Sequence, residues 1–194
     1  MIKIKIVLLG DIAVGKSSYI MRLNFNKFFN YMDSTIGAAF STKIMNIDGK
    51  SVKIEFWDTA GQERYKSLIS MYYNNADAAL IFYDINKLET LTNAIKLIDT
   101  LKSRGPVHIK YILIGNKYDL LDDHSITIDT VKAKLLNSEN QNVEHVYTSA
   151  KTNYNVEFSI NKLIHLINLD HKMPIDQKTN ILNCKYVEQN TCCY

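Results

Sequence analysis

The stretch Gly10-Asp11-Ile12-Ala13-Val14-Gly15-Lys16-Ser17 directly follows the apolar run Ile6-Val7-Leu8-Leu9. A strand that runs into a glycine loop and then into a helix start constrains this chain more than any other feature, because that arrangement grips polyphosphates in α/β sheets. Backbone N–H groups of residues Asp11 to Ser18 can ring the phosphates, Lys16 can reach the outer phosphates as a point charge, and the Ser17 hydroxyl can ligate Mg²⁺. Gly15 allows close approach of the backbone because it lacks a Cβ. Such a loop also arises by chance, so the remaining motifs must decide.

The spacing of apolar runs predicts strands at residues 2–9, 38–47, 52–58, 78–84, 108–115 and 144–148. Helix-period segments follow Lys16, Arg64, Leu88, Asp129 and Asn153. The expected fold is therefore an α/β domain with a six-stranded mixed sheet flanked by five helices. Asp48-Gly49 has the chemistry of a two-residue hairpin turn, which makes the second and third strands the one antiparallel pair. The last helix should fade near Asp170, before Pro174, leaving a domain over residues 1–170 and a tail over residues 171–194.

At 194 residues and 46% hydrophobic content, one domain can bury a full core. The net charge of +3 is spread along the chain, so no basic cluster points to nucleic acid. Cys184, Cys192 and Cys193 all lie near the end, so the folded body cannot hold a disulfide framework. The opening Ile2-Lys3-Ile4-Lys5 is too charged for a signal peptide, and Met1-Ile2 lacks the glycine that myristoylation needs.

Ligands of open α/β sheets sit at the carboxyl ends of the strands, and three further motifs fall there. Asp58-Thr59-Ala60-Gly61-Gln62 follows the third strand: Asp58 can hold Mg²⁺ through a water, Gly61 can offer a bare N–H to a terminal phosphate, and Gln62 can orient an attacking water. Asn116-Lys117-Tyr118-Asp119 follows the fifth strand. The Asp119 carboxylate accepts two parallel hydrogen bonds, which matches N1–H and the N2 amine of guanine and not adenine. Asn116 can tie this loop to the phosphate loop, and the Lys117 stem can pack along the base. Ser149-Ala150-Lys151, after the sixth strand, can place the Ala150 N–H against the guanine carbonyl oxygen.

In order and spacing, these motifs together with Thr35 resemble the small Ras-like GTPases over roughly residues 1–170. The segment Trp57 to Tyr65 resembles the Rab branch, and Ser34 to Phe40 with Met71-Tyr72-Tyr73 resembles its endosomal members. The resemblance implies slow hydrolysis of GTP to GDP and phosphate, with Gln62 and Lys16 catalytic and with Ser17, Thr35 and Asp58 around Mg²⁺. It implies that Phe28 and Ser34 contact the nucleotide, and that residues 28–39 and 60–74 switch with the γ-phosphate. It further implies that Phe40, Trp57 and Tyr72 read effectors. Exchange factor, activating protein, effectors, escort protein and GDP-dissociation inhibitor are the implied partners of an expected monomer.

One departure stands out: Rab-like loops usually carry a small residue where this chain has Ile12, so slow turnover or a nucleotide-locked scaffold is an alternative. A P-loop nucleotide kinase is a further one, but its second phosphate site usually needs several arginines, and this chain has only Arg22, Arg64 and Arg104. The ending Thr191-Cys192-Cys193-Tyr194 lacks a Cys-a-a-X box and resembles paired Rab cysteines that carry geranylgeranyl groups. Two lipids give stable attachment where one is marginal. The expected location is the cytoplasmic face of intracellular, endosomal membranes, with a cytosolic pool.

Overall fold

A computed structural model describes residues 1–61, 69–123, 125–138, 140–167 and 169. Gln62, Cys184, Cys192 and Cys193 lie outside the described residues. The order is β1 (Ile2–Gly10), α1 (Lys16–Phe25), β2 (Ala38–Ile47), β3 (Lys50–Thr59), α2 (Ile69–Tyr73), β4 (Ala78–Asp84), α3 (Leu88–Arg104), β5 (Lys110–Asn116), α4 (Ile128–Asn137), β6 (Glu144–Tyr147) and α5 (Val156–His165). A single 3₁₀ turn, Tyr118–Leu120, follows β5.

The six strands form one sheet in the order β2-β3-β1-β4-β5-β6, with β2 and β3 antiparallel and the other neighbours parallel. The hairpin joining β2 to β3 turns through Asp48 and Gly49, both at positive φ (50° and 76°), as a tight hairpin of this kind requires.

Strand alternation sorts the core into two layers. Ile4, Ile6 and Leu8 of β1 face one cluster, with Tyr19, Ile20 and Leu23 of α1 and Ile160 and Leu163 of α5. Val7 and Leu9 of the same strand face the other, with Leu91, Ile95 and Ile98 of α3 and Val131 and Leu135 of α4. Strand β4 is buried at every position from Ala78 to Asp84, as a central parallel strand covered on both faces must be.

Local chemistry starts and stops the helices. Thr127 caps α4, its hydroxyl accepting from the Thr130 N–H at 3.3 Å. Helix α1 is flanked by Gly15 before it and Asn26 after it, both left-handed (φ 94° and 53°). Helix α5 ends at His165, earlier than the expected fade near Asp170; the chain goes on in tighter turns, Leu166 N–H to Leu163 and Ile167 N–H to Ile164. These keep Leu166, Ile167 and Leu169 packed on the first core layer.

Candidate functional site

The loops after β1, β3, β5 and β6 converge at one edge of the sheet around a cavity of about 450 Å³. Of the residues expected around a nucleotide, Ile12, Ala13, Gly15, Lys16, Ser17, Ser18, Phe28, Ser34, Thr35, Gly61, Asn116, Lys117, Asp119, Ala150 and Lys151 line it. Asp11, Val14, Asp58 and Ser149 stand behind the wall. Val14 is buried in the core, and Asp11 bonds outward to Asn93 of α3, Nδ2 to Oδ2, at 2.8 Å. Sequence reasoning missed Phe29, Asn30, Met32, Asp33, Thr59 and Leu120, which also line the cavity. Thr59 sits within the Asp58–Gln62 motif and Phe29, Asn30, Met32 and Asp33 within the expected switch over residues 28–39, but no spacing rule singles out their side chains or that of Leu120 as cavity lining.

At the phosphate end, backbone geometry does most of the work. Gly15 has φ 94°, and a Cβ there would overlap the Asn116 side-chain amide. Gly61 presses on the Asp11–Ile12 peptide so closely that a Cβ would collide with its atoms. The Lys16 ammonium donates to the Gly10 and Asp11 carbonyls, each at 2.8 Å, which folds it over the loop. Burial lowers the Lys16 pKa to about 8, while Asp58 and Asp11 pull it back up.

Three oxygen-bearing side chains from separate segments meet beside it. The Ser17 hydroxyl donates to Asp58 Oδ2 at 2.6 Å and lies 2.9 Å from the Thr35 hydroxyl, which is itself 3.5 Å from Asp58 Oδ2. Asp58 Oδ1 is buried with no hydrogen-bond partner, and burial raises the pKa of this carboxyl against the pull of Ser17 and Lys16. An orphaned carboxylate oxygen beside two hydroxyls fits a hard, oxygen-seeking divalent cation. The donors are one carboxylate and two alcohols, and no cluster of three His, Cys, Asp or Glu exists among the described residues.

At the other end, Asn116 is 1% exposed and joins three loops. Its Nδ2 donates to the Val14 carbonyl at 2.9 Å, and its Oδ1 accepts from Thr148 Oγ1 at 3.2 Å and the Ala150 N–H at 3.4 Å. Asp119 Oδ1 accepts from the Ser149 hydroxyl at 2.5 Å, and Lys151 Nζ stands 4.0 Å from Oδ2. These contacts fasten the carboxylate in the wall of the cavity. Lys117 has φ 69°, and its ammonium is paired with Asp84 Oδ2 at 2.7 Å, which anchors the far end of a stem that lines the cavity. Asp84 was not foreseen; its only signal was an acidic residue closing β4 at the same edge.

The three aromatic residues lie together outside the cavity. Phe40 and Trp57 meet edge to face at 5.4 Å, and Trp57 and Tyr72 are tilted at 6.0 Å. The Lys5 ammonium sits 4.9 Å over the indole. Phe40 is 54% exposed, Ile36, four residues before it, 83%, and Met71, next to Tyr72, 68%, whereas Trp57 and Tyr72 are half-buried and pack on the second core layer, so the trio presents one exposed ring on a base rooted in the core.

A family model described as "Ras family" matches residues 5–169. The chain belongs to the Ras family. It is 45% identical over 177 residues to the GTP-binding protein ypt5 of Schizosaccharomyces pombe, covering 91% of this chain and 80% of that protein. It is 43% identical over 152 residues to the Ras-related protein Rab5 of Nicotiana tabacum, and likewise to the Ras-related protein Rab-5A of Dictyostelium discoideum. Each of those matches covers 78% of this chain and 74% of the relative. As a Rab-type member of this family, the chain binds guanine nucleotide and hydrolyses GTP to GDP and phosphate.

Proposed function

We propose that this chain is a Rab5-type switch of endosomal vesicle traffic, with GTP in the cavity and the Phe40–Trp57–Tyr72 surface as its output. The observation that carries the reading is that Ser17 and Thr35, with Asp58 bonded behind them, line the same cavity as Asp119. Ser17, Thr35 and Asp58 would hold Mg²⁺, which supplies charge neutralisation for the phosphates. Asp119 takes the two N–H donors of guanine, with the Ala150 N–H directed to the carbonyl oxygen. Lys16 stabilises charge that develops on the phosphates during transfer, and Gln62 orients water. Thr35 and Gly61 report on the γ-phosphate from opposite sides of the phosphate loop. Unassisted turnover is slow, on the order of 10⁻⁴ to 10⁻³ per second by analogy with Ras.

Residues 1–170 act as the nucleotide domain of a monomer and residues 171–194 as a tether. Geranylgeranyl groups on Cys192 and Cys193 hold the protein to the cytoplasmic face of endosomal membranes, and an escort protein and GDP-dissociation inhibitor maintain a cytosolic pool. An exchange factor, an activating protein and effectors act on the switch segments. Intact mass after expression with the prenylation machinery should show two added isoprenoids; one or none contradicts the tether.

The central reading is tested by loading the protein with labelled GTP or ATP in Mg²⁺ and following retention and phosphate release. Retained GTP with slow release supports it, and ATP retention overturns it. Ile12 supports a second reading, that of a scaffold locked to its nucleotide: it lines the cavity, is 48% exposed, and its peptide lies against Gly61. Faster single-turnover hydrolysis in Ile12→Ser supports that reading, and an unchanged rate with and without an activator removes it.

A further inference from the structure

Arginine is scarce in this chain, and one of the three has a side chain almost fully committed to backbone. Arg22, on the last turn of α1, donates from Nε to the Ala150 carbonyl at 2.8 Å and from Nη2 to the Lys151 carbonyl at 2.8 Å. From Nη1 it donates to the Asn26 carbonyl and to Asn26 Oδ1, each at 2.8 Å. A rigid guanidinium fork therefore straddles two successive carbonyls of the loop that carries the Ala150 N–H, more than a hundred residues away in sequence. The other arm is fastened to the left-handed residue that ends α1.

We infer that Arg22 is a positioning residue for guanine recognition, acting through the two peptides that follow the Ala150 N–H in the loop between β6 and α5. This rests on the reading of Ala150 as the donor to the guanine carbonyl oxygen. A carbonyl held from behind by a cation fixes the plane of its peptide group. The Ala150–Lys151 peptide and the Lys151–Thr152 peptide are both held in this way, so only the backbone torsions at Ala150 lie between the fork and the Ala150 N–H, which belongs to the preceding Ser149–Ala150 peptide. Asn116 Oδ1, 3.4 Å from the Ala150 N–H, holds that peptide from the other side, and Ala150 stays in the wall of the cavity between the two anchors. Helix α1 begins at the phosphate-binding Lys16, so the same rigid element locates both ends of the nucleotide. Charge-assisted bonds of this kind are stronger than neutral ones and lose most when one partner is removed. A lysine offers a point charge in place of the fork and can serve only one of the carbonyls at a time.

The experiment uses the full chain loaded with GDP or with 6-thio-GDP, which keeps the N1 and N2 donors but carries a weak sulfur acceptor in place of the carbonyl oxygen. Release rates are measured by displacement with excess nucleotide for the native chain, Arg22→Ala, Arg22→Lys and, as a control for losing an exposed arginine elsewhere, Arg104→Ala. Arg22→Ala is expected to speed GDP release by about tenfold, with Arg22→Lys in between and Arg104→Ala unchanged. The acceleration of GDP release should exceed any change in single-turnover hydrolysis by at least about fivefold. The decisive reading is the ratio of 6-thio-GDP to GDP release rates, which should be high in the native chain and shrink by about threefold or more in Arg22→Ala. If Arg22→Ala speeds both nucleotides equally, or neither, Arg22 only supports the fold and the inference is overturned; Arg22→Lys, which keeps the charge at the same place, gives the same decision should the alanine variant not fold. A native chain that does not distinguish the two nucleotides overturns the reading of Ala150, and this inference with it.

Discussion

The phosphate loop from Gly10 to Ser17 is one run of consecutive residues whose geometry glycine backbone and helix start set, with Thr35, Asp58 and Gly61 joining it from other segments. The guanine end is assembled from residues 116–119, residues 149–151 and Arg22, with partners up to 129 positions apart. Sequence pattern alone describes the first, because a contiguous loop carries its own conformation. The second depends on a finished core, because β5, β6 and α1 must be in register before Asp119, Ala150 and Arg22 can meet. Asn116 connects the two, with its amide on Val14 and its carbonyl oxygen toward Thr148 and Ala150.

The sharpest way to break this division is to alter recognition without touching the phosphates. Asp119→Asn exchanges one of two acceptors for a donor, which mismatches guanine and suits xanthine, whose C2 position bears an oxygen. Preference for GDP over XDP should fall by about 10⁴-fold, measured by competition for the loaded protein. Retention of full guanine preference would remove Asp119 from base recognition.

Gly15→Ala acts at the joint between the two ends. The side chain must adopt φ 94° and displace the Asn116 amide, so both ends loosen together. Affinity for GDP should fall by about 100-fold, with a larger loss than for Gly49→Ala, whose added Cβ meets nothing within 4 Å. Equal effects of the two substitutions would mean that the Asn116 contact is unimportant.

The same contrast explains what was readable from sequence. All six strands were placed to within two residues, because alternation in β1 and continuous burial in β4 leave direct periodic signatures. The hairpin at Asp48-Gly49 was readable because both residues accept positive φ. The Lys117–Asp84 pair and the Arg22 fork were not, since neither has a spacing rule; each depends on which side chains the sheet order makes neighbours. Phe29, Asn30 and Met32 were missed for a related reason. They lie on the long connection between α1 and β2, where no hydrophobic period announces which side faces the cavity.

Beneath the guanine loops lies a ladder of rings: Tyr154 stacks on Tyr118 at 5.0 Å, Tyr118 meets Tyr147 at 5.4 Å, and Tyr147 meets His145 at 4.5 Å. His145 Nε2 is 2.9 Å from the Tyr83 hydroxyl, and burial pushes its pKa down to about 4. The unfolded chain therefore binds a proton that the folded chain refuses between about pH 6.5 and about pH 4, so stability present above that window is lost as pH falls through it. The loss should approach about 3 kcal/mol, read from denaturant midpoints at several pH values. His145→Gln, which cannot titrate but keeps a hydrogen-bonding group near Tyr83, should flatten the acid slope; an unchanged slope would place acid sensitivity elsewhere.

The phosphate end should instead respond to alkali, and through binding. With its pKa lowered to about 8, Lys16 loses its charge near that pH, because burial taxes the ammonium more than Asp58 and Asp11 support it. A polyphosphate brought against it favours the charged form and raises the pKa, so nucleotide binding must take up a proton once the pH exceeds about 8. Affinity for GDP should then weaken with rising pH, by at most about tenfold per pH unit. Guanine itself loses the N1 proton in alkali, which would weaken binding at the Asp119 end. Lys16→Arg, always charged at these pH values, carries the same base and so cancels that contribution. A difference in slope between the native chain and Lys16→Arg assigns the alkaline loss to the phosphate end; parallel slopes assign it to the base, and would show that Lys16 keeps its charge on the Gly10 and Asp11 carbonyls despite its burial.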